Sequence, residues 1–172
     1  MKSNLSDSGC QKKEKKRVKK IRRKLTNFKL MYSNINHLKS KMEPLKSILE
    51  ETKPSVVALV ETKMAVKEEM EMEGYTPYPM NRNEHGGGIL LLVKKELKNL
   101  VVVVQEQVEV GEVMWITLSS NRNNIRIGVV YVPQEKDVKV DELKLMYKSI
   151  KEQVEEAKAK KQKSPHSWRF QW

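Results

Sequence analysis

The strongest constraint on the fold is the run Val56–Val60, which is aliphatic at every position and ends directly in Glu61. A run without polar alternation predicts a strand that is buried on both faces. Because such a strand needs neighbours at both edges and cover above and below, it favours a layered α/β domain. The run also places the carboxylate of Glu61 at the exit of a buried strand.

Periodic patterns on either side of this run predict alternating strands and helices. Residues 28–34 alternate with a period of two and predict a strand ending at Asn34. Apolar residues at helical spacing predict a helix over 42–52, which Lys53-Pro54 ends. Residues 74–77 are interpreted as a turn. Further strands are predicted at 89–93, 100–104, 113–118 and 125–132, and a final amphipathic helix at 140–161. The pattern predicts a mixed α/β fold with a packed sheet or pair of sheets.

The formal net charge of +12 is concentrated at the two ends of the chain. Residues 1–24 carry +9 and residues 158–172 carry +5, so residues 25–157 carry −2. A weakly acidic body lacks the excess of positive charge that binds the phosphates of nucleic acids, so the total charge alone does not predict nucleic-acid binding. We expect 1–24 to be a disordered, solvated basic arm. A nuclear-import signal and a phosphate-binding arm are the alternatives for this segment.

Cysteine usage and hydropathy indicate the compartment. Cys10 is the only cysteine, so the chain cannot form a disulfide framework or a cysteine-based metal site. This favours an intracellular, reducing environment. The first twenty residues lack an apolar signal region, and every apolar run is too short to cross a bilayer. We therefore expect neither secretion nor membrane insertion but an intracellular protein, for which the nucleus is one of the compartments open.

The usual catalytic motifs are missing from the sequence. No G-x-S-x-G and no G-K-[ST] accompany the three glycines at 86–88, so these glycines are interpreted as a tight turn into the next strand. The histidines form no H-E-x-x-H pattern, which argues against zinc. Oxygen and amide ligands remain at the predicted strand ends, namely Asn34, Asn36 and Glu61. This set suits Mg²⁺ completed by water and phosphate, although each residue taken singly also fits a turn or a surface position.

Taken in order, these residues resemble the endonuclease/exonuclease/phosphatase family. Within that family they are most similar to the apurinic-type endonuclease domains of non-LTR retrotransposon (LINE-like) proteins. The resemblance covers about residues 28–161, and its most specific part is E-T-K after one buried strand combined with Y-V-P after another. It is carried by Asn34-Ile35-Asn36, Lys53-Pro54, Leu59-Val60-Glu61-Thr62-Lys63, Gly74-Tyr75, Arg82, Gly86-Gly87-Gly88-Ile89, Trp115 and Val130-Tyr131-Val132-Pro133.

The resemblance implies a partial four-layer α/β/β/α sandwich and hydrolysis of DNA phosphodiesters with Mg²⁺ or Mn²⁺. It implies catalytic roles for Asn34, Glu61 and Tyr131. Glu61 and Asn34 would lie at the metal, and Tyr131 would reach toward the scissile phosphate. A packed tyrosine at a strand end is the alternative for Tyr131. The resemblance also implies nucleic-acid contacts by three further residues, Asn36, Lys63 and Arg82.

The sequence departs from the family pattern after the last predicted helix. Relatives continue into a strand with G-D-x-N and later into an Asp and His pair that activates water, and neither motif occurs here. We expect residues 25–161 to form a truncated domain, 162–172 to be an unpatterned tail, and the chain alone to be inactive. The expected partners are DNA and the reverse transcriptase portion of a longer polyprotein. The alternatives are a catalytically dead remnant that binds nucleic acid through its basic tails, and a phosphatase for a phosphoester outside nucleic acids.

Overall fold

The structure is a computed structural model that describes residues 27–82, 86–107, 111–119, 124–132, 139–163 and 168–170. Strands and helices alternate along the first part of the chain, and strands dominate the middle. Short 3₁₀ helices at Lys39–Lys41 and Lys95–Leu100 connect some of them. In chain order the main elements are β1 (Leu30–Asn34), α1 (Met42–Thr52), β2 (Val56–Val60), β3 (Tyr75–Met80), β4 (Ile89–Lys94), β5 (Val101–Gln107), β6 (Glu112–Ser119), β7 (Asn124–Tyr131), α2 (Val140–Lys163) and β8 (Trp168–Phe170).

The strands form two four-stranded sheets, with the orders β1-β2-β4-β3 and β5-β6-β7-β8. Two pairs are parallel, β1 with β2 and β7 with β8, and the other neighbours are antiparallel. In the first sheet Asn34 lies beside Val60, so β1 and β2 end together. In the second sheet Glu112 at the start of β6 lies opposite Tyr131 at the end of β7.

Alternating side chains divide the core into layers. On β2 and β4 one set of alternate residues packs between the two sheets, and the intervening residues pack under α1 against Leu45 and Leu49. On β6, Met114, Ile116 and Leu118 face the first sheet. The intervening Val113 and Trp115 pack against α2. The order helix, sheet, sheet, helix confirms the predicted partial α/β/β/α sandwich.

The first predicted elements are confirmed closely. All five residues of β2 are buried, as the uninterrupted aliphatic run predicted. The helix predicted over 42–52 is α1, with Pro44 in its first turn, where the missing N–H costs little. Lys53 ends α1 in the left-handed conformation, with φ of 47°, and donates its N–H to the carbonyl of Leu49.

Two expectations were wrong. Residues 74–77 are not only a turn, because Tyr75–Met80 form β3 at the edge of the first sheet. Pro77 and Pro79 fit there because prolines two apart both leave their missing N–H on one side, which at an edge strand is the unpaired side. The segment 162–172 is not wholly unpatterned, since α2 continues to Lys163 and 168–170 form β8 parallel to β7. A three-residue strand is too short to show a period in the sequence.

The expected basic arm at 1–24 and Cys10 lie outside the described residues. Within the described part of the chain, no helix has the length and apolar character needed to cross a membrane.

Candidate active site

The turn after β2 holds Glu61 in a fixed position. Glu61 has φ of 55° and Lys63 has φ of 51°, so the backbone turns through left-handed conformations that side-chain-bearing residues seldom adopt. Neighbouring segments tie this turn down. The N–H groups of Thr62 and Lys63 donate to Gly88 and Gly87, at 3.2 and 3.0 Å. Strained backbone held by surrounding hydrogen bonds is typical of functional sites.

Asn34 and Glu61 meet where the parallel strands β1 and β2 end. The Asn34 Nδ2 donates to the Glu61 Oε1 at 2.9 Å. The Asn34 Oδ1 accepts the backbone N–H of Asn36 at 3.1 Å, so both ends of the amide are engaged. This fixes which atom of the amide faces Glu61, because only the NH₂ group can donate to a carboxylate. One lone pair of the Asn34 carbonyl oxygen remains for another partner.

Asn36 and Lys63 lie beside this pair and bond to each other. The Lys63 Nζ donates to the Asn36 Oδ1 at 2.7 Å. Asn36 is exposed and Lys63 is half-buried. Their pairing holds one ammonium group next to the end of β2.

Tyr131 reaches the same carboxylate from the second sheet. Burial raises the pKa of Tyr131, and the charge of Glu61 raises it further. A hydrogen bond from the phenol to Glu61 adds to this, as does the charge of Glu112, whereas Arg82 opposes the rise. Because an ionised carboxylate can only accept, the phenol of Tyr131 is the donor in this hydrogen bond. Asn34 and Tyr131 therefore converge on Glu61 from different sheets.

Glu112 is an additional carboxylate of the site, and only 4% of its surface is exposed. Its Oε2 accepts the Gly88 N–H at 2.7 Å, whereas its Oε1 is buried without a hydrogen-bond partner. Burial raises the pKa of Glu112, and the Gly88 hydrogen bond and the charge of Arg82 oppose the rise.

The glycines allow close approaches that a side chain would block. A Cβ on Gly87 would lie 2.2 Å from the Glu112 Oε1, and a Cβ on Gly88 would lie 2.4 Å from the Thr62 Oγ1. Both glycines have positive φ, of 74° and 88°. The sequence predicted only a tight turn into the next strand. The glycines also connect two segments, because they accept hydrogen bonds from the turn after β2 and Gly88 donates one to Glu112 at the start of β6.

The donor set at Glu61 fits a hard divalent cation. Glu61 and Asn34 offer oxygen atoms, which Mg²⁺ and Mn²⁺ prefer. Across the described ranges no three carboxylate, imidazole or thiolate groups gather closely enough to hold a metal by themselves. A cation at Glu61 would therefore take most of its ligands from water and phosphate, as Mg²⁺ commonly does in proteins.

The structure brings together most of the site residues predicted from the sequence. Asn34, Glu61 and Tyr131 meet directly, Asn36 and Lys63 lie alongside them, and Arg82 lies near enough to influence Tyr131 and Glu112. Sequence reasoning missed Glu112. Its position in the sequence could have revealed it. Glu112 alternates in step with Met114 and the other β6 residues that face the first sheet, and it is the charged member of that set.

Comparisons with solved structures concern the fold. TDP2 from C. elegans aligns with a TM-score of 0.56 at 15% identity, over 80% of this chain and 44% of that one. Humanized D. rerio TDP2 with 14 mutations aligns with a TM-score of 0.50 at 13% identity, over 76% and 57%. The AP endonuclease LMAP from Leishmania major aligns with a TM-score of 0.49 at 17% identity, over 62% of this chain and 40% of that one. No curated protein matches the chain.

At such identities the two TDP2 structures show a shared fold and nothing finer. The chain spans 40 to 57% of the length of these three structures. The model of the endonuclease/exonuclease/phosphatase family matches residues 31–171, which is most of the chain and includes every residue of the site described above. This chain therefore belongs to the endonuclease/exonuclease/phosphatase family.

Proposed function

We propose that the chain supplies the amino-terminal half of a divalent-metal-dependent DNA endonuclease domain, of the type found in non-LTR retrotransposon proteins. The observation that carries the proposal is the convergence of Asn34 and Tyr131 on Glu61. Three polar residues from two sheets meet at one edge of the sandwich, where an amide and a phenol orient a carboxylate. Such an arrangement serves to hold a cation and a phosphate.

Each residue has a separate role in this proposal. Glu61 is the anionic ligand of the cation, and Asn34 keeps its carboxylate turned toward the site. Tyr131 carries one phenolic proton, which bonds to Glu61 in the free chain and would be donated to a non-bridging phosphate oxygen once a cation engages the Glu61 carboxylate. When bound, Mg²⁺ or Mn²⁺ would neutralise phosphate charge and lower the pKa of a bound water.

Two side chains beside the carboxylate favour an anionic substrate such as DNA. Lys63 lies at the end of β2 and Arg82 lies before the glycines, so both cations flank the proposed phosphate position. Their charges offset the repulsion that Glu61 would exert on a phosphate. A basic arm at 1–24 would add contacts to the DNA backbone that do not depend on sequence.

The domain proposed here is incomplete. The sequence has no G-D-x-N, and among the described residues the one Asp is Asp141, which pairs with Lys144 on α2, so no described Asp supports a His at the site. The apolar layer between the two sheets is also partly exposed to solvent at β1. Leu30 and Tyr32 share the alternation of the buried Val56 and Ala58, yet they are 37% and 58% exposed. They border a cavity of about 410 Å³ that a further part of such a domain would fill. We propose that hydrolysis by this chain alone is correspondingly slow.

Nicking of supercoiled plasmid tests the proposal. The chain is incubated with Mg²⁺, with Mn²⁺ or with EDTA, beside Glu61→Gln and the control Glu43→Gln, whose carboxylate lies exposed on α1. We expect any nicking to require metal and Glu61, and to be about 100-fold or more slower than that of a complete family member, because general acid–base groups typically contribute at least that much.

Two results would contradict parts of the proposal. Nicking in EDTA, or equal nicking by Glu61→Gln, would remove Glu61 from the reaction. A rate equal to that of a complete domain would show that the missing motifs are not needed. If nicking is absent and DNA binding falls steeply with salt, the remnant that binds through basic tails becomes the better account.

A further inference from the structure

Glu112 is a buried carboxylate that the proposed reaction does not use. It begins β6 directly opposite Tyr131, and cross-strand neighbours present their side chains on the same face of a sheet. Its position therefore puts a second negative charge beside the phenol. Burying a carboxylate with a single hydrogen bond is costly, so its presence calls for an explanation.

The carboxylate lies behind the glycine loop, residues 86–88, and not in the open site. Its Oε2 accepts the Gly88 N–H at 2.7 Å, and its Oε1 is buried against Gly87 without a hydrogen-bond partner. Because neither oxygen faces solvent, Glu112 cannot touch a substrate. Any effect on a ligand must pass through its neighbours.

Arg82 is the neighbour through which Glu112 can act. A Cβ placed on Gly87 would lie 2.2 Å from the Glu112 Oε1 and 3.3 Å from the Arg82 Cδ, so both side chains lie against this glycine. Arg82 is exposed, and its positive charge acts on both Glu112 and Tyr131. The other nearby cation, Lys63, already donates to Asn36. Arg82 is thus the cation best placed to meet an anion beside Tyr131.

We propose that Glu112 is a positioning residue that holds Arg82 and the glycine loop beside Tyr131, so that the guanidinium can bind a phosphate oxygen there. The inference rests on the proposed function for its ligand, which is phosphate. A guanidinium suits this role because its planar donors match phosphate oxygens, and a carboxylate behind it restricts its rotation.

Titration with inorganic phosphate, followed by ¹H–¹⁵N NMR, tests the proposal. The Arg82 Nε–H and Gly88 N–H signals are recorded in the natural chain, Glu112→Gln, Arg82→Ala and the control Glu155→Gln, which removes an exposed carboxylate of α2. Gln still accepts the Gly88 N–H and has nearly the same shape. We expect Glu112→Gln to weaken phosphate binding about ten-fold, with Arg82→Ala similarly weak and Glu155→Gln unchanged.

The sign of the change separates positioning from simple charge. Removing a negative charge near an anion should tighten phosphate binding, so weaker binding by Glu112→Gln requires that Arg82 has lost its position. Equal or tighter binding would overturn this inference and leave the proposed function intact. If phosphate does not shift the Arg82 Nε–H signal in the natural chain, that result would count against both this inference and the proposed function. If Glu112→Gln fails to fold, Glu112→Asp decides, since it keeps the charge but moves it, and unchanged binding there contradicts positioning.

Discussion

Gly88→Ala should destabilise the fold much more than the same change at Gly74. Both glycines have positive φ, of 88° and 75°, so alanine costs about 1–2 kcal/mol at either position through backbone conformation. At Gly74 nothing lies within 4 Å of the added methyl group, whereas at Gly88 it would lie 2.4 Å from the Thr62 Oγ1. Overpacking of that kind adds about 1–3 kcal/mol. We therefore expect losses of about 2–5 kcal/mol at Gly88, against about 1–2 kcal/mol at Gly74.

Urea denaturation followed by tryptophan fluorescence and circular dichroism measures these losses, because Trp115 is buried in the folded chain. The m-values should stay equal if both variants keep the same fold. The Thr62 Oγ1 has no hydrogen-bond partner, so Thr62→Ala removes the obstacle at little cost. In that background Gly88→Ala should cost no more than Gly74→Ala, giving a coupling energy of about 1–3 kcal/mol. Equal losses for the two glycines, or no recovery with Thr62→Ala, would refute the close approach.

Leu91→Ala should cost about 2–5 kcal/mol in the same assay, because the side chain is fully buried between the sheets, whereas Val66→Ala at an exposed turn should stay within about 0.5 kcal/mol. Burial raises the pKa of Glu112, so the folded chain binds this proton more tightly than the unfolded chain does. The free energy of unfolding should therefore fall as pH rises from about 4.5 through the raised pKa. Urea denaturation between pH 4 and 7 should show this fall in the natural chain and not in Glu112→Gln. The pKa of Tyr131 is raised by burial and by Glu61, so ultraviolet titration should show it falling in Glu61→Gln; an unchanged value would separate the two side chains.

Much of the fold could be predicted because individual segments carry strong local patterns. The aliphatic run Val56–Val60 allowed only a strand buried on both faces, and the proline in the first turn of Met42–Thr52 marked where the helix begins. Short or irregular segments were harder. Tyr75–Met80 contains two prolines that suggest a turn unless the segment is known to be an edge strand. Trp168–Phe170 is placed by pairing with β7, which no local pattern reveals.

The candidate site was predicted as far as polar residues followed buried strands. Asn34 and Glu61 were found in this way, and Tyr131 came from the family resemblance. Glu112 was not found, because it comes just before the strand predicted at 113–118 and does not follow a buried strand, and its shared alternation with Met114 was not used. The close packing of Gly87 against that carboxylate is likewise a property of tertiary structure, since it joins segments far apart in the chain.

Binding of Mn²⁺, measured by electron paramagnetic resonance, tests most directly the claim that Glu61, oriented by Asn34, is a cation ligand. The natural chain is compared with Glu61→Gln, Asn34→Ala and the exposed control Glu43→Gln. We predict that Glu61→Gln abolishes saturable binding, that Asn34→Ala weakens it about 10- to 100-fold, as loss of an orienting partner commonly does, and that Glu43→Gln has no effect. Saturable binding that is unchanged in Glu61→Gln would contradict the claim.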